Sequence, residues 1–176
     1  MRESEALTLL RAAVPAADGE TWADLGAGTG TFTRALAALV GASGRVIAVD
    51  ADDGALAALR SWPARSAAPV TLLRGDFTRP LDLPPLDGVV MANALHFIAD
   101  AAAVLSRVAF HLKPGGRLVV IEYEGRRPSR WVPYPVSIAR LGELAVTAGF
   151  TAPTIAATRP SAFGGRMYVA AISRSG

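Results

Sequence analysis

Apolar and small residues at Ala6, Leu7, Leu10, Ala13 and Val14 repeat with the spacing of one helix face, and Pro15 followed by Asp18-Gly19 ends the pattern. Beyond it the period changes. Thr21–Leu25 reads as a short buried strand, then comes a glycine-rich turn, then a helix through Phe32, Leu36, Leu39 and Val40 that stops at Gly41. Arg45–Asp50 is a continuous apolar run, as a strand covered on both faces requires, and a helix around Leu56–Arg60 follows it. The alternation continues with strands at Val70–Leu73 and Gly88–Met91, a helix at Ala101–Leu112, and a strand at Arg117–Tyr123 after the turn Lys113-Pro114-Gly115-Gly116. Strand and helix in regular succession predict a mostly parallel sheet with helices on both faces.

The C-terminal part departs from that rhythm. Gly125–Pro135 holds three prolines and three arginines and reads as an irregular loop before a helix over Val136–Ala148, closed by Gly149. Thr154–Thr158 and Met167–Ser173 are then two strands joined by Pro160–Gly165, too short a link for a crossover helix, so they form an antiparallel hairpin.

With 176 residues and 51% hydrophobic content, the chain suits one domain with a sizeable core, expected to span 1–176. The absence of cysteine excludes disulfides, thiolate metal sites and cysteine nucleophiles. The acidic start Met1–Glu5 is unlike a basic leader, and no run approaches the ~18 apolar residues of a membrane span. A soluble, cytoplasmic protein is expected. The net charge of +3 is scattered and almost all arginine, with Lys113 the only lysine, whereas a nucleic-acid binder would cluster it. Its densest patch, Arg126, Arg127 and Arg130, either meets an anionic substrate or is a solvated loop.

Candidate chemistry gathers at the C-terminal ends of the strands. Asp24-Leu25-Gly26-Ala27-Gly28-Thr29-Gly30 places glycines where the chain passes from strand to helix, so backbone amides approach a ligand closely. Its G-x-G-x-G spacing differs from the G-x-G-x-x-G of dinucleotide binders. Asp50, 20 residues past Gly30, ends the second strand where a carboxylate can accept two ribose hydroxyls. Asp76 and Phe77 follow the third strand, an acid and an aromatic ring suited to an adenine, or an ordinary Asp turn. Asn93 stands out in a chain with no other asparagine and no glutamine; it acts either on a ligand or as a turn or cap. His96 is the best-placed general base and otherwise a packed histidine at a helix start, whereas His111 suits a helix C-terminus. Glu122, Tyr123 and Glu124 end the fifth strand, and strand alternation allows only some to face a pocket, with Tyr123 favoured. Asp52 and Asp53 suit a helix start, and no metal site is expected.

In this order the chain resembles the class I S-adenosylmethionine-dependent methyltransferases along nearly its whole length. The resemblance rests on Asp24–Gly30, Asp50, Asp76-Phe77, Leu86–Phe97, the turn Leu112–Leu118 and Leu144–Phe150. Within that superfamily, Leu95-His96-Phe97 and the Lys-Pro-Gly-Gly turn look most like the ubiquinone/menaquinone-biosynthesis and related small-molecule enzymes. The resemblance implies a Rossmann-like seven-stranded sheet of order 3-2-1-4-5-7-6 with strand seven antiparallel. It also implies S-adenosylmethionine as cofactor, held by Asp24, Gly26, Ala27, Gly28 and Gly30 at its methionine end, Asp50 and Ala51 at the ribose, Asp76 and Phe77 at the adenine, and Asn93 and Ala94 at the fourth strand end.

The function expected is methyl transfer to a small-molecule acceptor by in-line displacement, with His96 and Tyr123 as catalytic candidates. The alternatives are an RNA or protein methyltransferase with an open site, or a non-catalytic cofactor-binding subunit. Only about 20 residues precede the first strand, fewer than in many relatives of the group, so a small lid formed by Arg126–Pro135 with Trp131 and Tyr134, a second copy or a partner subunit is expected to complete the pocket.

Overall fold

A computed structural model describes residues 1–14, 18–62, 67–161 and 164–175. In chain order the elements are α1 (Glu3–Arg11), β1 (Thr21–Leu25), α2 (Thr31–Val40), β2 (Arg45–Asp50), α3 (Asp53–Arg60), β3 (Val70–Arg74), β4 (Leu86–Ala92), a single 3-10 turn (Leu95–Phe97), α4 (Ala101–His111), β5 (Leu112–Glu124), α5 (Ile138–Thr147), β6 (Thr154–Pro160) and β7 (Arg166–Ser173). The sheet order is β3-β2-β1-β4-β5-β7-β6, and β7 runs antiparallel to both neighbours, as expected.

Strand side chains alternate between faces, and helices cover both, so each strand feeds two cores. Leu118 and Val120 of β5, with Tyr168, Ala170 and Ile172 of β7, pack on the face covered by α4 and α5. Val119, Ile121, Met167 and Val169 pack on the opposite face beneath α1 and α2. Trp22 is wholly buried on that second face. Gly88 makes room for it, since a β-carbon there would run into the indole ring. Tyr168 donates its buried hydroxyl to the Val136 carbonyl at 2.9 Å, tying β7 to the segment that enters α5.

Side-chain caps set three helix starts. Asp52 accepts from the Gly54 and Ala55 amides, Asp100 from Ala103, and Ser137 from Arg140. Asp52 and Asp53 therefore serve α3, and no cluster of metal-ligating side chains occurs among the described residues.

Several boundaries shift. The regular part of α1 ends at Arg11, with Ala13 and Val14 bonded back to Leu10 in a closing turn; Pro15 lies outside the described residues. The expected Lys113–Gly116 turn belongs to β5, because Leu112 already pairs with Leu86, three exposed residues then loop out, and pairing resumes at Arg117 opposite Gly88. α5 is shorter than expected, since Ser137 caps it and Ile138 is its first residue. The hairpin has the expected sense, although Ala162 and Phe163 in its link lie outside the described residues. Among the described residues, no helix is long and apolar enough to cross a membrane.

Candidate active site

The chain switches direction across the sheet at β1, whose neighbours β2 and β4 are reached by connections running opposite ways, and ligand crevices form at such a switch. The glycine loop hangs from the end of β2: the Gly26 and Ala27 amides donate to the Val49 carbonyl at 2.9 and 3.0 Å. Gly26, Gly28 and Gly30 all take positive φ, of 81°, 53° and 86°. Their surroundings differ. A β-carbon on Gly26 would sit 2.7 Å from that of Ala94 and 3.3 Å from the Phe77 ring, and one on Gly30 would collide with Leu59, whereas nothing lies within 4 Å above Gly28. The loop is packed on its inner side and open at Gly28.

Around that opening Asp24, Gly26, Ala27, Gly28, Thr29, Thr31, Phe32, Ala92 and Asn93 line a recess of about 210 Å³. Asp24 shares a strand face with Trp22 and so points toward α2, where it accepts from the Thr33 hydroxyl at 2.6 Å. Burial pushes its carboxyl up to about 6, against the lowering effect of the Thr33 bond. Asp50 accepts from the Gly28 amide at 2.7 Å and from the Asp52 amide at 2.9 Å. Each carboxylate oxygen therefore keeps a lone pair for a ligand.

A second space adjoins the first. Asn93, His96, Phe97, Tyr123, Arg126, Ser129, Trp131 and Val132 surround a cleft of about 610 Å³, so Asn93 borders both. Asn93 has φ 53°, the one positive φ on a non-glycine residue among those described, and its Oδ1 is buried without a hydrogen-bond partner. An unfilled acceptor at the junction of two hollows fits a ligand donor.

His96 lies in the 3-10 turn, its side chain 4% exposed, with Nδ1 2.7 Å from Glu122 Oε2, while its backbone N–H donates to Glu122 Oε1 at 3.1 Å. Glu122 lies on the same strand face as Leu118 and Val120, which aims it at this turn. The loop after β5 folds over the cleft: Ser129 and Val132 pair their backbones, and the Tyr134 amide donates to the His96 carbonyl at 2.9 Å. Burial raises the Tyr123 hydroxyl above its ordinary value, with Glu122 adding to the effect and Arg126 opposing it.

A methyltransferase domain profile matches residues 23–116, just over half of the chain. The chain belongs to the methyltransferase domain family. S-adenosylmethionine is the methyl donor of such domains, and the open glycine loop, the available Asp50 oxygens and the orphaned Asn93 acceptor suit it. Among curated relatives, the demethylmenaquinone methyltransferase of Symbiobacterium thermophilum is 36% identical over 110 residues, covering 59% of this chain and 43% of that protein. The acetylserotonin O-methyltransferase of Mus musculus is 41% identical over 106 residues, covering 56% of this chain and 27% of that enzyme. The chain thus spans less than half the length of these relatives. Among solved structures, a Burkholderia thailandensis 1,6-didemethyltoxoflavin-N1-methyltransferase with bound S-adenosylhomocysteine superposes with a TM-score of 0.75 at 23% identity, over 99% of this chain and 78% of that one.

The methyltransferase domain brings Asp24, Gly26, Ala27, Gly28 and Asn93 around the recess and His96 and Tyr123 around the cleft. Gly30 forms the left-handed entry to α2, Ala94 is buried against Gly26, and Ala51 is exposed beyond Asp50. Asp76 and Phe77 line neither space, although the Phe77 ring lies against Gly26 of the loop. The Thr78 hydroxyl and amide bond to Asp76 and, with Arg79, hold its carboxyl below the ordinary range. Phe77 packs into the core and lines a small internal hollow with Leu25, Leu81, Leu83 and Val104. Sequence reasoning overlooked Glu122 as the partner of His96 and Thr33 as the partner of Asp24. The available signal for Glu122 was a carboxylate directly following the buried run Leu118–Ile121 on the face that also carries Val120.

Proposed function

We propose that this domain binds S-adenosylmethionine across the glycine loop and methylates a small-molecule acceptor held in the adjoining cleft, with His96 as general base. One observation carries the reading: a buried histidine, gripped twice by one carboxylate, borders an apolar cleft that meets the glycine-loop recess at Asn93. The acceptor names of the relatives, acetylserotonin and demethylmenaquinone, are small molecules, which agrees with a walled cleft of this size.

The cofactor, when bound, supplies a methyl group on a sulfonium, so the acceptor heteroatom gives its proton to a base and gains methyl as the carbon–sulfur bond breaks, releasing S-adenosylhomocysteine. Asp24 and the open backbone at Gly28 and Thr29 hold the methionine end, and Asp50 holds the ribose. Asp76 offers its exposed carboxylate toward the adenine, with Phe77 as part of the floor beneath the loop. Glu122 takes the Nδ1 hydrogen, which leaves His96 Nε2 as the acceptor of the substrate proton. The Tyr123 ring, Phe97, Trp131 and Val132 offer an apolar surface that orients a flat substrate.

The test is a panel of small hydroxy-aromatic acceptors with S-adenosylmethionine, reading S-adenosylhomocysteine release from the wild type and from His96→Gln. Turnover by the wild type that falls at least about a hundredfold in the variant, at unchanged cofactor affinity, supports the reading. Cofactor binding without turnover of any acceptor supports a binding subunit instead. Undiminished turnover by His96→Gln removes the base assignment.

A further inference from the structure

Resting on the small-molecule reading above, we infer that the acceptor carries an anionic oxygen, most simply the carboxylate of a hydroxy-aromatic acid, and that Arg126 is the residue that reads it.

Arg126 lines the cleft two residues past the end of β5, with its guanidinium carbon 5.0 Å from the centre of the Tyr123 ring. Its Nε is buried without a hydrogen-bond partner. Two other arginines also have a buried, unpartnered Nε, but their heads are engaged away from the cleft: Arg107 donates to the Thr78 carbonyl and Arg117 pairs with Glu20. Arg126 combines a buried, unfilled Nε with a place in the cleft wall, and no carboxylate pairs with it among the described residues. The nearest acids in sequence are already engaged, since Glu122 is held by the two His96 donors and Glu124 accepts from the Ile138 amide at 2.7 Å.

A guanidinium fork resting on an aromatic face, with a buried donor unfilled, is preorganised to receive a planar oxyanion in bidentate fashion. The remaining walls say what the anion is attached to. Phe97, Tyr123, Trp131 and Val132 are apolar or aromatic, so the body of the ligand is flat and hydrophobic. Arg130, whose guanidinium sits 4.8 Å from the centre of the Trp131 ring that lines the cleft, adds positive potential nearby, while His96 in the cleft wall is placed for the hydroxyl to be methylated. Charge at one end and a reactive hydroxyl elsewhere on one flat frame describe a hydroxy-aromatic acid.

The probes are a hydroxynaphthoate and the matching naphthol, which differ only in the carboxylate. Their affinities are measured by calorimetry on protein loaded with S-adenosylhomocysteine, for the wild type, Arg126→Met and Arg126→Lys. The wild type is expected to bind the acid about tenfold or more tighter than the naphthol. Arg126→Met loses that preference with cofactor affinity unchanged, and Arg126→Lys, which keeps the charge without the fork, retains part of it. Equal affinity for the two probes in the wild type, a preference that survives Arg126→Met, or no binding of either probe overturns the inference. Turnover is scored separately. Arg126-dependent binding of the acid without any methyl transfer upholds this inference and defeats the catalytic reading, whereas methylation of both probes alike, indifferent to Arg126, does the reverse.

Discussion

Glu122 holds His96 at two points, accepting from its backbone N–H at 3.1 Å and lying 2.7 Å from its ring Nδ1, with both side chains almost fully buried. One carboxylate thus sets the position of the turn and the tautomer of the ring together. Glu122→Gln keeps the shape but can present an amide N–H to Nδ1, which moves the imidazole hydrogen to Nε2. Methyl transfer should then fall by about 10²–10⁴-fold with cofactor affinity unchanged, as expected when a catalytic histidine is held in the wrong tautomer. Imidazole nitrogen NMR on the two proteins checks the cause directly, and an Nδ1–H tautomer in both would refute it.

Asp24 gives a pH-dependent prediction. Its carboxyl is pushed from the ordinary 3.8 up to about 6 by burial. The folded state therefore binds its proton more tightly than the unfolded chain, and ionising Asp24 works against folding. That penalty is absent below 3.8, grows between 3.8 and about 6, and is complete above it. A shift of this size corresponds to roughly 3 kcal/mol, partly offset in a variant by a weaker bond to Thr33. Asp24→Asn should thus be more heat-stable than the wild type at neutral pH and similar to it in acid, while binding S-adenosylmethionine more weakly. Thermal melts across that range measure the stability arm. Wild-type affinity should drop as the pH falls through about 6, and the variant's should not.

The mostly parallel sheet, the terminal hairpin and the acid–glycine loop are legible in the sequence because each depends on local signals: two-sided apolar runs, a link too short for a crossover, and glycines where φ is positive; the strand order comes with the family resemblance. The pairings that make the cleft are not local. Glu122 and His96 lie 26 residues apart and meet only because β4 and β5 are neighbours and Glu122 falls on the inward face of its strand. Sequence alternation reduces Glu122 and Tyr123 to opposite faces without saying which face the turn after β4 will occupy. The same holds for Phe77. An aromatic beside an acid suits an adenine in sequence, but only the fold shows that the ring, partly buried among Leu25, Leu81 and Val104, also lies against Gly26 of the loop. Asn93 stood out by rarity alone, and its left-handed backbone and unfilled Oδ1 supply the physical reason.

The packed Gly26 and the open Gly28 should separate folding from binding. Gly26→Ala places a β-carbon 2.7 Å from that of Ala94 at a φ of 81°, so overpacking and backbone strain add, and a loss of about 2–4 kcal/mol is expected. Gly28→Ala meets nothing within 4 Å and carries only the strain of its φ of 53°, about 1 kcal/mol. Its methyl group projects where the cofactor is proposed to lie. Gly28→Ala should stay folded and lose S-adenosylmethionine affinity, whereas Gly26→Ala should fail first in thermal melts. A Gly28→Ala protein that binds normally would move the cofactor off this part of the loop.

Asp50 does two things at once, and its variants can be chosen to part them. Its oxygens accept the Gly28 and Asp52 amides at 2.7 and 2.9 Å, holding the loop, and their remaining lone pairs face the place proposed for the ribose. Asp50→Ala removes both roles. It should cost about 1–2 kcal/mol of stability through the two amides, which water partly satisfies, and abolish measurable cofactor binding. Asp50→Asn keeps one amide acceptor and replaces the other oxygen with a donor that cannot serve a hydroxyl's hydrogen. If Asp50 only shaped the loop, cofactor affinity would fall in step with the loss of thermal stability across the two variants. Direct recognition of the ribose instead requires Asp50→Asn to lose affinity by about a hundredfold while its melting temperature falls less than that of Asp50→Ala, because bonds to a charged acceptor contribute more to binding than a loop amide does to folding. Calorimetry with S-adenosylmethionine beside thermal melts of the same samples decides between them, and unchanged affinity in Asp50→Ala would remove the ribose assignment altogether.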